Sequence, residues 1–247
     1  MCASTGLRHG GSAIGIDGQP FVPLDGQAER LELAGWWESQ QGNAKITGRN
    51  ARNLNPIIRA AGTAAASTAA DPTALDRELR FAWWWIWKNS SGPVKFSAFN
   101  SRSDRLLQSW SSEFQHRAII PASWYVEKGV RFEHPTGGTF GIAAVTSTVQ
   151  EADGSDLVTY SMVTRSAVGE AATVHDRMPL VIPPEMHDAW LDPAQPGDRD
   201  LALASVAWSE DLSHAMTAAG PALKAKSAKH TVRGSATRTP EAPHTLF

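Results

Sequence analysis

Two runs of alternating and β-branched residues dominate the middle of the chain. They are FGIAAVTSTV (140–149) and LVTYSMVT (157–164), separated by turn residues Glu151–Gly154. That pattern predicts an antiparallel hairpin. AIIPA (118–122) predicts a buried strand ending at Pro121, and PLVI (179–182) another. Pro183-Pro184 then opens a helix through Trp190, because proline suits a first helical turn. Leu106, Leu107, Trp110 and Phe114 recur at helical spacing, so a helix is expected between Arg102 and Phe114. A shorter helical piece is expected around Leu31–Glu38, and FAWWWIW (81–87) gives a dense core signal ahead of the loop KNSSGP.

Between these elements the chain changes character. Residues 8–50 are Gly-rich with few long apolar runs. AAGTAAASTAADP (60–72) is low in complexity and predicts a flexible loop ending at Asp71-Pro72. The stretch 223–247 is basic and nearly devoid of large apolar residues until Leu246-Phe247, which predicts a disordered tail. No internal repeat is present. The expected class is α+β: a single domain over 1–222 around a mixed or antiparallel barrel-like sheet with flanking helices, with 8–50 and 60–72 as unplaced or flexible insertions.

The bulk properties narrow the function. A chain of 247 residues supports one substantial core. Its net charge is -2, so nucleic-acid contact requires a local basic groove. No apolar run is long enough to span a membrane, and the N-terminus lacks a secretory apolar region. One cysteine excludes an intramolecular disulfide and cysteine-rich zinc sites. A cytoplasmic setting, where thiols stay reduced, is therefore expected. The ten tryptophans must pack a core or stack on ligands.

Four segments could carry chemistry. Cys2 follows Met1, and methionine is normally trimmed ahead of a small residue. The chain would then begin with a 1,2-aminothiol, whose α-amine has a pKa of roughly 7.7–8 and attacks aldehydes to give a Schiff base. The neighbouring thiol closes that imine to a thiazolidine. On position alone, an incidental residue on a frayed end is the simpler reading. HDRMP (175–179) offers His175, a proton carrier near neutrality, with Asp176 and Arg177 to orient it or bind phosphate; a lone histidine is more often structural. In ASWYVEKG (122–129), Glu127 is a general base or a solvated carboxylate, and Trp124 and Tyr125 stack on bases or pack in a core. In FNSRSD (99–104), Asn100 and Ser101 fit a helix cap and Arg102 a phosphate contact.

In this order, Cys2, Asn-x-Arg, a strand ending in Pro-Ala before an aromatic and Glu127, and HDRMP resemble the SOS response-associated peptidase (SRAP) family. ARNLNP (51–56) looks like the family's Asn-x-x-Pro segment through Asn53 and Pro56, and WWWIW stands where the family has a Trp-Gly-containing stretch. The similarity runs from about 51 to 192, with Cys2 ahead of it. Cys2-Ala3-Ser4 stands where the family usually has Cys-Gly-Arg, and Lys128 replaces the usual aromatic after Glu127.

The resemblance implies a single α+β domain around a barrel-like sheet with a positively charged cleft. It also implies binding of single-stranded DNA and cross-linking to abasic sites through the N-terminal cysteine, which protects damaged DNA. By position, Cys2 is the nucleophile and Asn100 holds its amine or the sugar-derived oxygen. Glu127 takes the amine's proton, and His175 protonates the departing ring oxygen and assists reversal. Arg102 and Arg177 contact phosphates, with Trp84, Trp124, Tyr125, Asn53 and Pro56 along the DNA. No cofactor, metal, membrane or obligate protein partner is implied.

Two other readings stay open from the sequence. An N-terminal-nucleophile peptidase or amidohydrolase would use the α-amine as base and Asn100 in an oxyanion hole. A non-covalent, Trp-rich single-strand-binding module would leave Cys2 inert. A zinc enzyme built on His175 and His187 is a poor fit, since no further ligand cluster accompanies the pair.

Overall fold

The computed structural model describes residues 2, 4–9, 14–21, 27–62, 75–89 and 91–221. From residue 63 the stretch expected as a loop over 60–72 lies outside the described residues, as does the expected tail over 223–247.

Two sheets share the chain. The smaller one begins with β1 (Ser4–Gly6) and β2 (Asn43–Lys45), which follows helix α1 (Gln27–Gln40). The larger one begins with β3 (Leu54–Ala60) and β4 (Arg77–Trp83), an antiparallel pair. A short strand β5 (Asn100–Arg102) and a one-turn helix α2 (Leu106–Ser109) lead to β6 (Arg117–Ala122). The chain then crosses to the small sheet at Ser123 and forms β7 (Trp124–Glu127) and β8 (Val130–Glu133). Lys128 and Gly129 connect them with φ of 50° and 83°, the left-handed pair of a two-residue hairpin turn.

The predicted long hairpin forms as β9 (Phe140–Gln150) and β10 (Asp156–Ser166). β11 (Arg177–Pro179) pairs with β10 and β12 (Val181–Ile182) with β9, so PLVI divides between two partners instead of forming one strand. Leu180 sits between the two short strands and is fully buried. Helices α3 (His187–Leu191), α4 (Arg199–Trp208) and α5 (Glu210–Ala215) follow, then β13 (Thr217–Pro221).

The strands β4, β3, β6, β9 and β10 are hydrogen-bonded in sequence, and β10 returns to β4, so they close a five-stranded barrel. Every step is antiparallel except β10 to β4, where Thr159 lies opposite Trp83 in parallel. Closure explains the nearly continuous burial of β6, β9 and β10, which are covered on both faces. Two threonine hydroxyls on these strands find local acceptors: Thr146 donates to His116 O at 3.0 Å and Thr164 to Ser101 O at 3.2 Å. The small sheet runs β13–β8–β7–β1–β2, antiparallel throughout. The expected α+β class and barrel-like sheet are what the chain adopts.

The helix expected between Arg102 and Phe114 is broken into β5, a 3-10 turn at Ser103–Arg105, α2 and a second 3-10 turn at Glu113–Gln115. The apolar spacing is real, since Leu106, Trp110 and Phe114 are buried, but its first residue, Arg102, is recruited by β10. Among the described residues no helix is long and apolar enough to cross a membrane.

Candidate active site

The N-terminal segment is not frayed. Ser4, Thr5 and Gly6 lie opposite Val126, Tyr125 and Trp124 on one side and Lys45, Ala44 and Asn43 on the other, so β1 is an interior strand. Glu127 follows Val126 at the end of β7, and its charge acts on the Cys2 thiol. Gly6 is required here, because a Cβ would stand 2.0 Å from the Trp124 indole that lies across it. Cys2 is consequently 1% exposed. Its thiol points to Ser4 O at 3.5 Å.

β5 supplies the next contact. Asn100 lies opposite Met162 of β10, and its Nδ2 donates to the Cys2 carbonyl at 2.8 Å. The residue ahead of it is held by Trp84, whose indole N–H donates to Phe99 O at 2.7 Å. Asn100 Oδ1 is buried and has no hydrogen-bond partner among the described residues. Glu127, at the end of β7, is 2% exposed.

Two buried phenols complete this wall. Tyr125 is flanked by Phe132 in a parallel stack with centroids 5.1 Å apart, and Tyr160 by Trp84 at 5.7 Å. Burial pushes the Cys2 thiol up from 9.0 to about 12; the Ser4 backbone contact opposes that rise and the Glu127 charge adds to it. Burial likewise raises Tyr125 and Tyr160 well above the ordinary phenol value, with Cys2 contributing to both. Cys2, Glu127 and the two tyrosines thus act on one another's charge in buried surroundings, with Asn100 holding the Cys2 backbone.

A second group lies further along the same strands. Arg102, two residues past Asn100, sits opposite Thr164, and Arg177 sits opposite Ser166. Arg102 grips Asp104 through Nε at 3.0 Å and Nη2 at 2.7 Å, and Arg177 Nη2 lies 3.7 Å from the same carboxylate. Arg177 also donates to Thr164 O. His175 Nδ1 accepts from the Arg177 backbone N–H at 3.0 Å, and an Asp176 carboxylate oxygen lies 2.9 Å from the same nitrogen. The Asp176 side chain is exposed, whereas that of His175 is largely covered. β5 is the bridge between the groups: Asn100 reaches Cys2 and Arg102 reaches the arginine cluster.

The aromatic residues expected along the DNA divide differently. Trp84 is 1% exposed and Tyr125 0%, both packed into the core, and neither presents a ring to solvent. Pro56 is buried within β3. Asn53 is partly exposed and donates to Lys45 O at 3.3 Å. Trp124 keeps one exposed aspect, lying over Gly6 with the Arg131 guanidinium 4.0 Å from its ring centroid. Tyr160 and Asn55 were not singled out by the sequence, since nothing local marks them. Asn55, fully buried on β3, lies beside the Tyr160 side chain only through barrel closure.

Known proteins give a consistent picture. A sequence model described as SOS response associated peptidase (SRAP) matches residues 27–218, so α1 and β2, which had no counterpart in the motif comparison, fall inside the match. No curated protein matches the chain significantly. Among solved structures, a phage-related protein of Bordetella bronchiseptica superposes with a TM-score of 0.55 at 16% identity, covering 90% of this chain and 95% of that one. A protein of Bacteroides thetaiotaomicron gives 0.54 at 15% identity, covering 83% and 86%. A further Bordetella bronchiseptica protein gives 0.51 at 17%, covering 79% and 90%. These likenesses speak to the fold, and the family match to the lineage. The chain belongs to the SOS response-associated peptidase (SRAP) family, and with it to a DNA-damage-associated role.

Proposed function

We propose that this protein, once Met1 is removed, captures the aldehyde of abasic sites in single-stranded DNA as a thiazolidine on Cys2. The observation that carries this reading is the hydrogen bond from Asn100 to the Cys2 carbonyl, 2.8 Å long, which anchors the N-terminal residue in a buried pocket beside Glu127.

The chemistry follows from the two functional groups of Cys2. Opening the closed deoxyribose needs an acid, the role given to His175; general acid catalysis contributes about 10²–10⁴ in rate. The neutral α-amine then attacks C1′, and loss of water gives the imine. Burial keeps the thiol protonated, so sulfur acts after the imine has formed. The S–H adds across the C=N bond: sulfur bonds to carbon, and the proton ends on nitrogen by way of Glu127. One water leaves overall. Ring closure removes the imine that would otherwise promote β-elimination of the 3′ phosphate. Arg102 and Arg177 hold the flanking backbone, which favours a single strand that bends into the pocket.

The same burial weighs against a peptidase that uses Cys2 as a standing thiolate. Such nucleophiles depend on a lowered thiol pKa, and both burial and the nearby Glu127 charge act in the opposite direction.

The test is a denaturing gel of the protein with single-stranded DNA carrying one abasic site, with intact mass reporting Met1. Wild type gives a heat-stable shifted band, Cys2→Ala gives none, and Asn100→Ala slows its appearance about 10²-fold, the usual cost of misplacing a reacting group. Absence of the band from wild-type protein that has lost Met1 overturns the proposal.

A further inference from the structure

Tyr125 and Tyr160 have no part in the reaction steps assigned to Cys2. They are the chain's only two tyrosines, against eight phenylalanines, and both are fully buried beside Cys2. Packing alone does not call for a hydroxyl at either position. Tyr125 stacks on Phe132 with ring centroids 5.1 Å apart, and Tyr160 on Trp84 at 5.7 Å. A phenylalanine makes the same stacks without burying an oxygen. Neither phenol oxygen has a hydrogen-bond partner of ordinary geometry among the described residues. A buried hydroxyl left unmet is unfavourable for the fold, so its retention calls for a role beyond packing.

Sheet register brings these oxygens to Cys2 from two sides. On the small sheet, Tyr125 lies opposite Thr5 of β1 and shares a strand face with Glu127, two residues on. On the large sheet, Met162 lies opposite Asn100. Tyr160, two residues earlier on β10, therefore stands on the same face as Asn100, whose Nδ2 holds the Cys2 carbonyl at 2.8 Å. Asn55 reaches this face as well, since it pairs with Ala82, the neighbour of the Trp83 that lies opposite Thr159. Its amide donates to Asn53 O at 3.0 Å and lies beside the Tyr160 phenol. Asn55 Oδ1 and Asn100 Oδ1 are also buried without a partner among the described residues. The Cys2 charge acts on both phenols. Unmet polar atoms are thus gathered around one reactive residue. Burial holds both phenols above their ordinary pKa, so near neutral pH each keeps its proton and is a fixed hydrogen-bond donor.

We infer that the hydroxyls of Tyr125 and Tyr160 form a donor pair for the C1′ oxygen of the aldehyde that Cys2 captures. The inference deepens the reading of Cys2 as an aldehyde trap and rests on it. When the amine nitrogen bonds to C1′, the carbonyl electron pair moves onto the oxygen, and two phenol hydrogen bonds stabilise the charge that develops there. One amine proton passes to that oxygen by way of Glu127 and gives the carbinolamine. The hydroxyl then leaves as water with the second nitrogen proton, and the imine remains. Both protons of the amine end on the departing oxygen, and the phenols keep theirs throughout.

The test is the cross-linking rate of Tyr125→Phe and Tyr160→Phe on single-stranded abasic DNA, measured over a range of DNA concentration and beside Tm. Each variant loses one hydroxyl and keeps its ring. The maximal rate falls about 10²-fold, the effect of removing one such donor. The DNA concentration at half-maximal rate stays within about twofold, because no phosphate or base contact has changed. Tm equals or exceeds that of the wild type, because an unmet buried hydroxyl has gone. A lower Tm assigns the hydroxyl to the fold and overturns the inference, as does a loss confined to the half-saturating concentration. Glycolaldehyde, followed by intact mass, supplies the aldehyde without DNA. Its adduct forms with loss of one water, and both variants form it slower by the same factor. Wild-type protein that takes glycolaldehyde but not abasic DNA removes the DNA reading, and the glycolaldehyde rates then decide the donor pair. Wild-type protein that takes neither overturns both. A wild-type rate in either variant, with adducts forming normally, overturns the donor pair alone.

Discussion

Cys2, Tyr125 and Tyr160 are weak acids buried within one pocket, and their protons report on the fold. In the unfolded chain the thiol ionises near 9.0 and the phenols near 10.0, while in the folded chain burial moves Cys2 to about 12 and both phenols higher than usual. Well below pH 9 both states keep all three protons, so these groups leave stability independent of pH there. Between pH 9 and 12 the unfolded chain releases protons that the folded chain retains, and stability is lost as pH rises. These are the only two tyrosines of the chain, so phenolate absorbance reads this pocket alone. The expected outcome is a urea midpoint that is flat from pH 7 to 8.5 and falls above pH 9, with phenolate appearing together with unfolding. Phenolate that titrates near pH 10 in the still-folded protein contradicts this picture of a closed pocket. Trp84 belongs to the same account. The sequence marks it as aromatic and unusual, yet only the barrel shows that its ring backs Tyr160 and its N–H holds Phe99 O.

At the scale of elements, the three-residue strand β1 carries the largest functional consequence for its size. Its pairing with β7 depends on an indole resting on a bare glycine, with the Trp124 Cζ2 atom 2.0 Å from where a Cβ would be. Gly6→Ala forces Trp124 off the strand, at a cost of about 1–3 kcal/mol for overpacking. Asn100 holds Cys2 just ahead of β1, so the cross-linking proposed for Cys2 falls along with that stability. Trp124→Ala in the Gly6→Ala background restores thermal stability toward wild type, which a general effect of alanine at position 6 would not allow. A Gly6→Ala protein with wild-type Tm refutes the packing argument. Strands such as β9 and β10 are legible from local pattern because β-branched runs flank a turn. β5 is not, because Asn100, Ser101 and Arg102 carry no strand signal and are drafted by the edge of β10. The division of PLVI has the same origin, since its apolar residues satisfy two different partners. The motif order located Cys2, Asn100 and Glu127, but their convergence depends on sheet register, which separate short segments do not encode.

For the whole molecule, the question is what holds the α4 wall against the barrel. Arg117 on β6 is 5% exposed and donates to four carbonyls: Trp190 O at 2.6 Å, Phe114 O at 2.8 Å, Asp192 O at 2.5 Å and Gln195 O at 2.7 Å. Burial lowers its pKa, and the carboxylates of Asp192 and Asp198 oppose that fall. Asp198 is also the cap of α4, accepting from Leu201 N at 2.9 Å. One guanidinium therefore gathers the end of α3 and the segment that launches α4, and it does so from a strand of the closed barrel. Arg117→Met keeps the apolar stem but leaves buried carbonyls without donors, which costs about 2–4 kcal/mol. The urea midpoint drops accordingly. The cross-linking proposed for Cys2 keeps its rate at saturating abasic DNA, because Asn100 and Glu127 sit on β5 and β7 and Cys2 lies ahead of β1, none of them on α4. A midpoint equal to wild type shows that the four carbonyls are satisfied without Arg117. A lower midpoint together with a lowered cross-linking rate shows instead that the clamp reaches the Cys2 site as well as α4.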